Sequence, residues 1–199
     1  MDYQTAAKEI IQLMEYDLEE RKRLSDTGEL FKGYNNKMEI VHKENVKQLE
    51  SIINHIGWPT KKKVGQKASY AAMLIVQHAI SLPEFQKACL ILIKKAIDQQ
   101  KEDKRSYAYL YDRICFSERR PQKFGTQFDW DKDGQMSPWV IEDPEELNPL
   151  RLEYGLNSME EETAAIRKHI KDNNEKAPKN YEARQKEIHE WSLKTGWIK

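Results

Sequence analysis

A histidine at position 78 and an adjacent acid and base at positions 112 and 113 fit their surroundings worst of all the polar residues in the chain. His78 falls on a helical face with Ala71, Leu74, Ile75 and Leu82, the face that would pack. Asp112 and Arg113 interrupt a run of aromatic and aliphatic residues, Tyr107-Ala108-Tyr109-Leu110-Tyr111 before them and Ile114-Cys115-Phe116 after. A polar group on a packed face lowers stability unless it finds a partner. Two such apolar helices facing each other would bring an imidazole, a carboxylate and a guanidinium together. In such a site His78 is the natural general acid or base, because imidazole titrates nearest neutrality. Asp112 would orient it, and Arg113 would grip a substrate anion through two parallel hydrogen bonds. The plainer account stands beside this one: a core histidine satisfied by its neighbours, and an Asp-Arg pair that is only structural.

The elements that would position these groups follow from periodicity. Apolar residues at helical spacing predict a first helix over Tyr3 to Leu24, with Ala6, Ile10, Leu13 and Asp17 on one side. Turn residues follow around Thr27-Gly28 and Gly33 to Asn36. A second helix runs from Lys37 to Ile56, with Gly57 beyond its end and Pro59 preventing continuation. A third helix is expected over Gly65 to Ile80, in which Ala68 through Ile80 is apolar nearly all round apart from Ser69, Gln77 and His78, and this predicts a central, buried helix. Ser81-Leu82-Pro83-Glu84 has the form of a capping box for a fourth helix reaching Gln99. The Tyr107–Phe116 segment is the fifth.

The pattern then changes. Phe124, Phe128 and Trp130 alternate with polar positions, Asp131-Lys132-Asp133-Gly134 supplies a turn, and Trp139-Val140-Ile141 follows, so a β-hairpin is expected near 122–141. The turn also matches the start of a calcium loop, but the twelfth position is Val140 where a bidentate Glu belongs. A polar hairpin turn is the simpler account. Asp143-Pro144-Glu145-Glu146 is expected to open a short helix that Gly155 stops. Ser158-Met159-Glu160-Glu161 is a second capping box, and a last helix begins at Tyr181.

Several separated motifs carry a resemblance. Gln77-His78, Tyr109-Leu110-Tyr111-Asp112-Arg113, Pro121-Gln122-Lys123-Phe124-Gly125-Thr126-Gln127, Asp143-Pro144, and Arg151 with Gly155-Leu156 together resemble a family of bacterial proteins catalogued only as a domain of unknown function. The resemblance spans roughly Trp58 to Leu156. The family more often carries Tyr where this chain has Phe124, and a second Arg where it has Leu150. The resemblance implies a shared site to which Gln77, Gln122, Thr126, Gln127 and Arg151 contribute, and it supplies no reaction.

Composition bounds the rest. Lys plus Arg and Asp plus Glu are both 33 in 199 residues, so the net charge is zero. A balanced chain has no whole-molecule attraction to nucleic acid or to an anionic membrane. The two cysteines, Cys89 and Cys115, sit in apolar runs, with no paired-cysteine or Cys/His motif, so no structural metal and no cofactor is expected. The longest apolar stretch is too short to span a bilayer, and the N-terminus lacks the apolar core of a signal peptide, which points to the cytoplasm. No phosphate-binding glycine loop, serine nucleophile elbow or HExxH sequence occurs.

The expected architecture is a mainly α-helical bundle with one inserted hairpin. It forms a single domain over 1–199, with a family-like core at 58–156 and helical extensions at 1–57 and 157–199 packed on it. Two functions stay open. One is a small-molecule enzyme or ligand-binding domain for a small anion, its pocket lined by Tyr109, Tyr111 and Phe124 and its polar contacts supplied by Gln77, His78, Asp112, Arg113 and Gln127. The other is a non-catalytic protein partner, immunity or regulatory in kind, in which the same groups form a buried structural network. In that case Trp130 and Trp139 would anchor an interface.

Overall fold

The computed structural model describes residues 1–30 and 34–199. Gly33, expected in the first turn, lies outside the described residues. The rest is mainly α-helical, with eight helices and one antiparallel hairpin among the described residues. The chain divides into two compact units, Met1–Asp103 and Lys104–Lys199.

The first unit holds α1 (Tyr3–Asp26), α2 (Asn36–Ile56), α3 (Lys61–His78) and α4 (Pro83–Asp98). Asp2 caps α1 by accepting from the amides of Gln4 and Thr5, each at 2.9 Å. Asn35 does the same for α2, and both caps satisfy amides that a helix start leaves unpaired. α1 packs on α3 and α2. Its buried stripe is Ala6, Ile10, Leu13, Met14, Asp17 and Leu24. α3 meets it with small residues, Ala68, Ser69, Ala71 and Ala72, followed by Ile75 and Val76.

Two local expectations need correction. Tyr70 is 61% exposed, so α3 has a solvent-facing edge and is not buried all round. Ser81 does not cap α4: the N-cap is Leu82, and no side chain bonds the first turn. Pro83 at the first position sets that start and has no N–H to satisfy. Within α3 itself, Gly65 has φ 81° and interrupts the helix, so the long buried segment begins after it, where the sequence places its start.

The second unit holds α5 (Lys104–Ser117), β1 (Phe128–Trp130), β2 (Met136–Pro138), α6 (Leu147–Glu153), α7 (Met159–Asp172) and α8 (Tyr181–Thr195). The strands pair Phe128 with Pro138, Asp129 with Ser137 and Trp130 with Met136. The antiparallel pairing is thus shorter than the expected 122–141, and an isolated parallel bridge joins Gln122 to Ile141 outside it. Asp131 organises the turn: Oδ1 accepts from the amides of Asp133 and Gln135, and Oδ2 from the Ser137 hydroxyl. Asp129 is held by Trp130 N and by Arg184 and Gln185 of α8. Two acids of the calcium-like sequence thus serve other ends, Asp131 the turn and Asp129 the docking of α8.

Asp143 does not open a helix of its own. Its Oδ1 accepts from the amides of Glu145 and Glu146, and the helix starts later, at Leu147. Ser158 and Glu161 form the reciprocal capping box expected for α7, and Arg167 fixes α7 to β2 through Met136 O and Ser137 Oγ. The core of the unit gathers Ala108, Phe124 and Leu156, with Tyr107, Tyr109, Tyr111, Leu150 and Tyr154 around them. No described helix is long and apolar enough to cross a membrane.

Candidate functional site

Most of the residues singled out in the second half of the sequence meet in one buried network. Asp112, fully buried on α5, accepts from three amides of the loop below it, those of Lys123, Phe124 and Thr126. Lys123 N lies 2.9 Å from Oδ1, Phe124 N 3.0 Å from Oδ1, and Thr126 N 2.9 Å from Oδ2. The Thr126 hydroxyl adds a fourth donor, to Oδ2 at 3.0 Å. Burial pushes the Asp112 carboxyl up while these donors pull it down. Four donors aimed at two oxygens is the geometry of a carboxylate used as a loop clamp.

The neighbouring amides complete the loop. Gln122, also fully buried, donates from Nε2 to the carbonyls of Gln127 and Trp139 and accepts from Gln127 N at 2.8 Å. Gln127 in turn donates to the Thr126 hydroxyl. On the other side Arg151, 1% exposed, donates from Nη1 to Phe124 O at 2.5 Å and Gly125 O at 3.0 Å, and from Nε to Asn157 O at 2.6 Å. Asp112 and Arg151 therefore hold the 122–127 loop from both ends of its peptide dipoles, amides on the acid and carbonyls on the base.

The flanking residues lie nearby. Tyr111 stacks on Tyr107, with centroids 5.8 Å apart, and meets the edge of Phe124. Tyr109 is half-buried, and burial raises its phenol. Arg113 is half-buried on α5, and burial lowers its guanidinium to about 10. A surface cleft of this unit is lined by Lys123, Glu142, Asp143, Glu146, Leu150 and Glu153. Four carboxylates against one lysine make it a poor seat for an anion.

The first unit presents a different arrangement around His78, which closes α3 together with Gln77. The carboxylate beside this histidine is Asp17 of α1: Oδ1 lies 2.7 Å from His78 Nδ1. The second oxygen of Asp17 lies 3.4 Å from Nε2 of His42, on α2. Among the described residues neither Asp17 Oδ2 nor His42 Nε2 has a hydrogen-bond partner, although Asp17 is 1% and His42 6% exposed. The two imidazoles stand 5.4 Å apart between centroids. On its far side His42 Nδ1 meets the Tyr34 hydroxyl at 2.8 Å.

Burial holds the His42 imidazole down to about 4 and pushes the Tyr34 phenol up to about 12. His78, with 23% of its side chain exposed, is the member that solvent reaches. Two buried amides brace the cluster. Asn45 Nδ2 ties α2 to Leu13 O, one turn before Asp17, and Gln86 Nε2 ties α4 to Val76 O, two residues before His78.

A family model described as Family of unknown function (DUF6624) matches residues 5–172. The chain belongs to that family. The match runs from the start of α1 to the end of α7, wider than the span that carries the sequence motifs. It takes in Asp17 and His42 as well as His78 and the Asp112–Arg151 network. No curated protein and no solved structure matches the chain.

The structure of this DUF6624 member thus divides the expected site residues between two settings. Asp112, Gln122, Thr126, Gln127 and Arg151 form one network in the second unit. His78 belongs to the first unit, where Asp17 occupies the position beside its ring. Asp17 and His42 are the residues that sequence reasoning missed. The signal was present: Asp17 sits four residues after Leu13 and seven after Ile10 on the buried stripe, and His42 sits four after Met38 and four before Val46. Each is a polar residue at an apolar position, as His78 is.

Proposed function

We propose that this chain is a small-molecule enzyme or ligand-binding protein that works through the Asp17–His42–His78 cluster. One observation supports the reading above others: Asp17 Oδ2 and His42 Nε2 lie 3.4 Å apart, buried and without hydrogen bonds among the described residues. Each buried group left unpaired costs about 1–3 kcal/mol. Folds retain such costs mainly where a site needs the groups for another purpose. One carboxylate and two imidazoles can take up a proton or a Lewis acid, and His78 brings the cluster to solvent.

The alternative reading, a non-catalytic interaction protein, draws its support from the second unit. There Asp112, Gln122 and Arg151 are engaged with backbone of their own unit, as a structural network would be. Trp139 is also engaged internally, against Phe116 and under Arg119, and its indole N–H bonds Arg120 O.

Two measurements separate the readings. In a thermal-shift screen of organic acids, sugars, nucleotides and phosphate, run with chelator present, a ligand of this site stabilises wild type and not His78→Ala. In parallel, the double variant Asp17→Leu/His42→Met keeps a melting temperature near that of wild type, because removing the two unpaired atoms offsets the lost bonds to His78 and Tyr34. A double variant that melts far below wild type, with no compound active on wild type, makes the cluster structural and overturns the proposal.

A further inference from the structure

We infer that Asp17, His42 and His78 bind a divalent first-row transition-metal ion, with the carboxylate and two imidazole nitrogens as its protein ligands. The inference rests on the reading of this cluster as the functional site and names what it takes up.

The first argument is geometric. One donor atom from each residue can be chosen so that all three lie within 4.8 Å of one another. Ligands 2.0–2.2 Å from a metal in tetrahedral array are separated by roughly 3.3–3.6 Å. Asp17 Oδ2 and His42 Nε2 already stand 3.4 Å apart. Asp17 Oδ1 and His78 Nδ1, at 2.7 Å, share a hydrogen bond whose proton a cation would replace. Side-chain rotation from these spacings would seat one ion among the three donors.

The second argument concerns hydrogen-bond bookkeeping. With Nδ1–H of His42 donating to Tyr34 Oη, Nε2 carries a lone pair and faces a carboxylate oxygen, two acceptors with nothing between them. With the opposite tautomer, Nε2–H still makes no hydrogen bond to Asp17. A cation between the two atoms satisfies both at once. It also gives Tyr34 a recognisable task, since a metal-bound imidazole is usually held by a partner on its other nitrogen.

The donor set then selects the metal. Two imidazoles and one carboxylate suit zinc, cobalt, nickel or iron(II), whereas calcium and magnesium prefer all-oxygen sites. Three protein ligands leave coordination positions open, the pattern of sites that act on a bound molecule and not of closed structural zinc. The partly exposed His78 gives a way in from solvent.

The test uses the full chain after chelator treatment. Calorimetric titration with Zn²⁺ is expected to show one equivalent bound, and Co²⁺ to develop visible d–d absorption. Asp17→Asn, His42→Ala and His78→Ala should each weaken binding at least 100-fold, and Tyr34→Phe about 10- to 100-fold. Where a variant fails to fold, the ring ¹⁵N resonances of wild type serve instead: Zn²⁺ must shift those of His42 and His78, and not those of His55, His169 and His189. Absence of stoichiometric binding overturns the metal assignment, as does binding that persists in all the folded ligand variants. A chelated protein that still passes the ligand screen and the double-variant test above would leave the functional reading standing and remove the metal alone.

Discussion

The guanidinium of Arg151 lies directly beneath Gly125. Nη1 donates to the Gly125 carbonyl at 3.0 Å, and a Cβ built on that glycine would fall 3.2 Å from the same nitrogen and 2.6 Å from Met159 Sδ. Gly125 also has φ +68°, a conformation that side chains disfavour. Gly125→Ala should therefore cost about 2–3 kcal/mol, combining backbone strain with displacement of a buried ion. Urea unfolding followed by circular dichroism would measure it. A variant as stable as wild type would mean that the loop is not pinned from this side.

Asp112 clamps the same loop from above. Asp112→Ala leaves the amides of Lys123, Phe124 and Thr126 without their acceptor. The Phe124 amide is the buried donor and alone costs about 1–3 kcal/mol, with smaller losses at the partly buried Lys123 and Thr126 amides. Asp112→Asn keeps one acceptor oxygen but turns an NH₂ toward N–H donors, so it should recover only part of that stability. If both variants unfold at the wild-type urea midpoint, the network contributes nothing to holding the loop.

These two residues also show where the sequence was legible. The aromatic run marked Asp112 as a buried acid, and the Gly-Thr-Gln motif marked the loop, because a polar residue among apolar ones is visible in one dimension. The helices of both units and the presence of one hairpin were readable for the same reason, since periodicity and turn residues are local, but its strands pair only over 128–130 and 136–138. Partnership is not local. Which helix brings a carboxylate to His78 depends on how α1 and α3 cross, and Asp17 lies 61 residues away in sequence. The Ser81 cap failed on a smaller scale, since Pro83 moved the helix start and the motif could not show it.

Both cysteines should be inert in the folded chain. Cys89 is 1% exposed and Cys115 fully buried, and burial pushes each thiol up to about 12. The thiolate is the reactive form, so its population at pH 8 falls about a thousandfold below that of a free cysteine. Ellman's reagent should therefore find no rapidly reacting thiol in native protein and two in urea. A fast native phase would show that one of the enclosing helices opens readily.

Acid should weaken the metal-free protein through His42. Its neighbours are Asp17 and Glu39, which favour the charged imidazole, and His78 and Arg21, which oppose it, but burial dominates and lowers it from 6.5 to about 4. Because the folded pKa lies below the unfolded one, the unfolded chain binds the proton first. The contribution is thus fully present above about pH 6.5 and is lost as pH falls toward 4. By pH 5 the loss from this residue amounts to about 2 kcal/mol. Urea midpoints between pH 7 and pH 4.5, with chelator present, would follow it in wild type and in His42→Gln. The glutamine variant cannot titrate, so its curve should be flatter by that amount. Parallel curves would show that His42 protonates as easily in the folded protein as in the unfolded chain, and that the helices around it open to water.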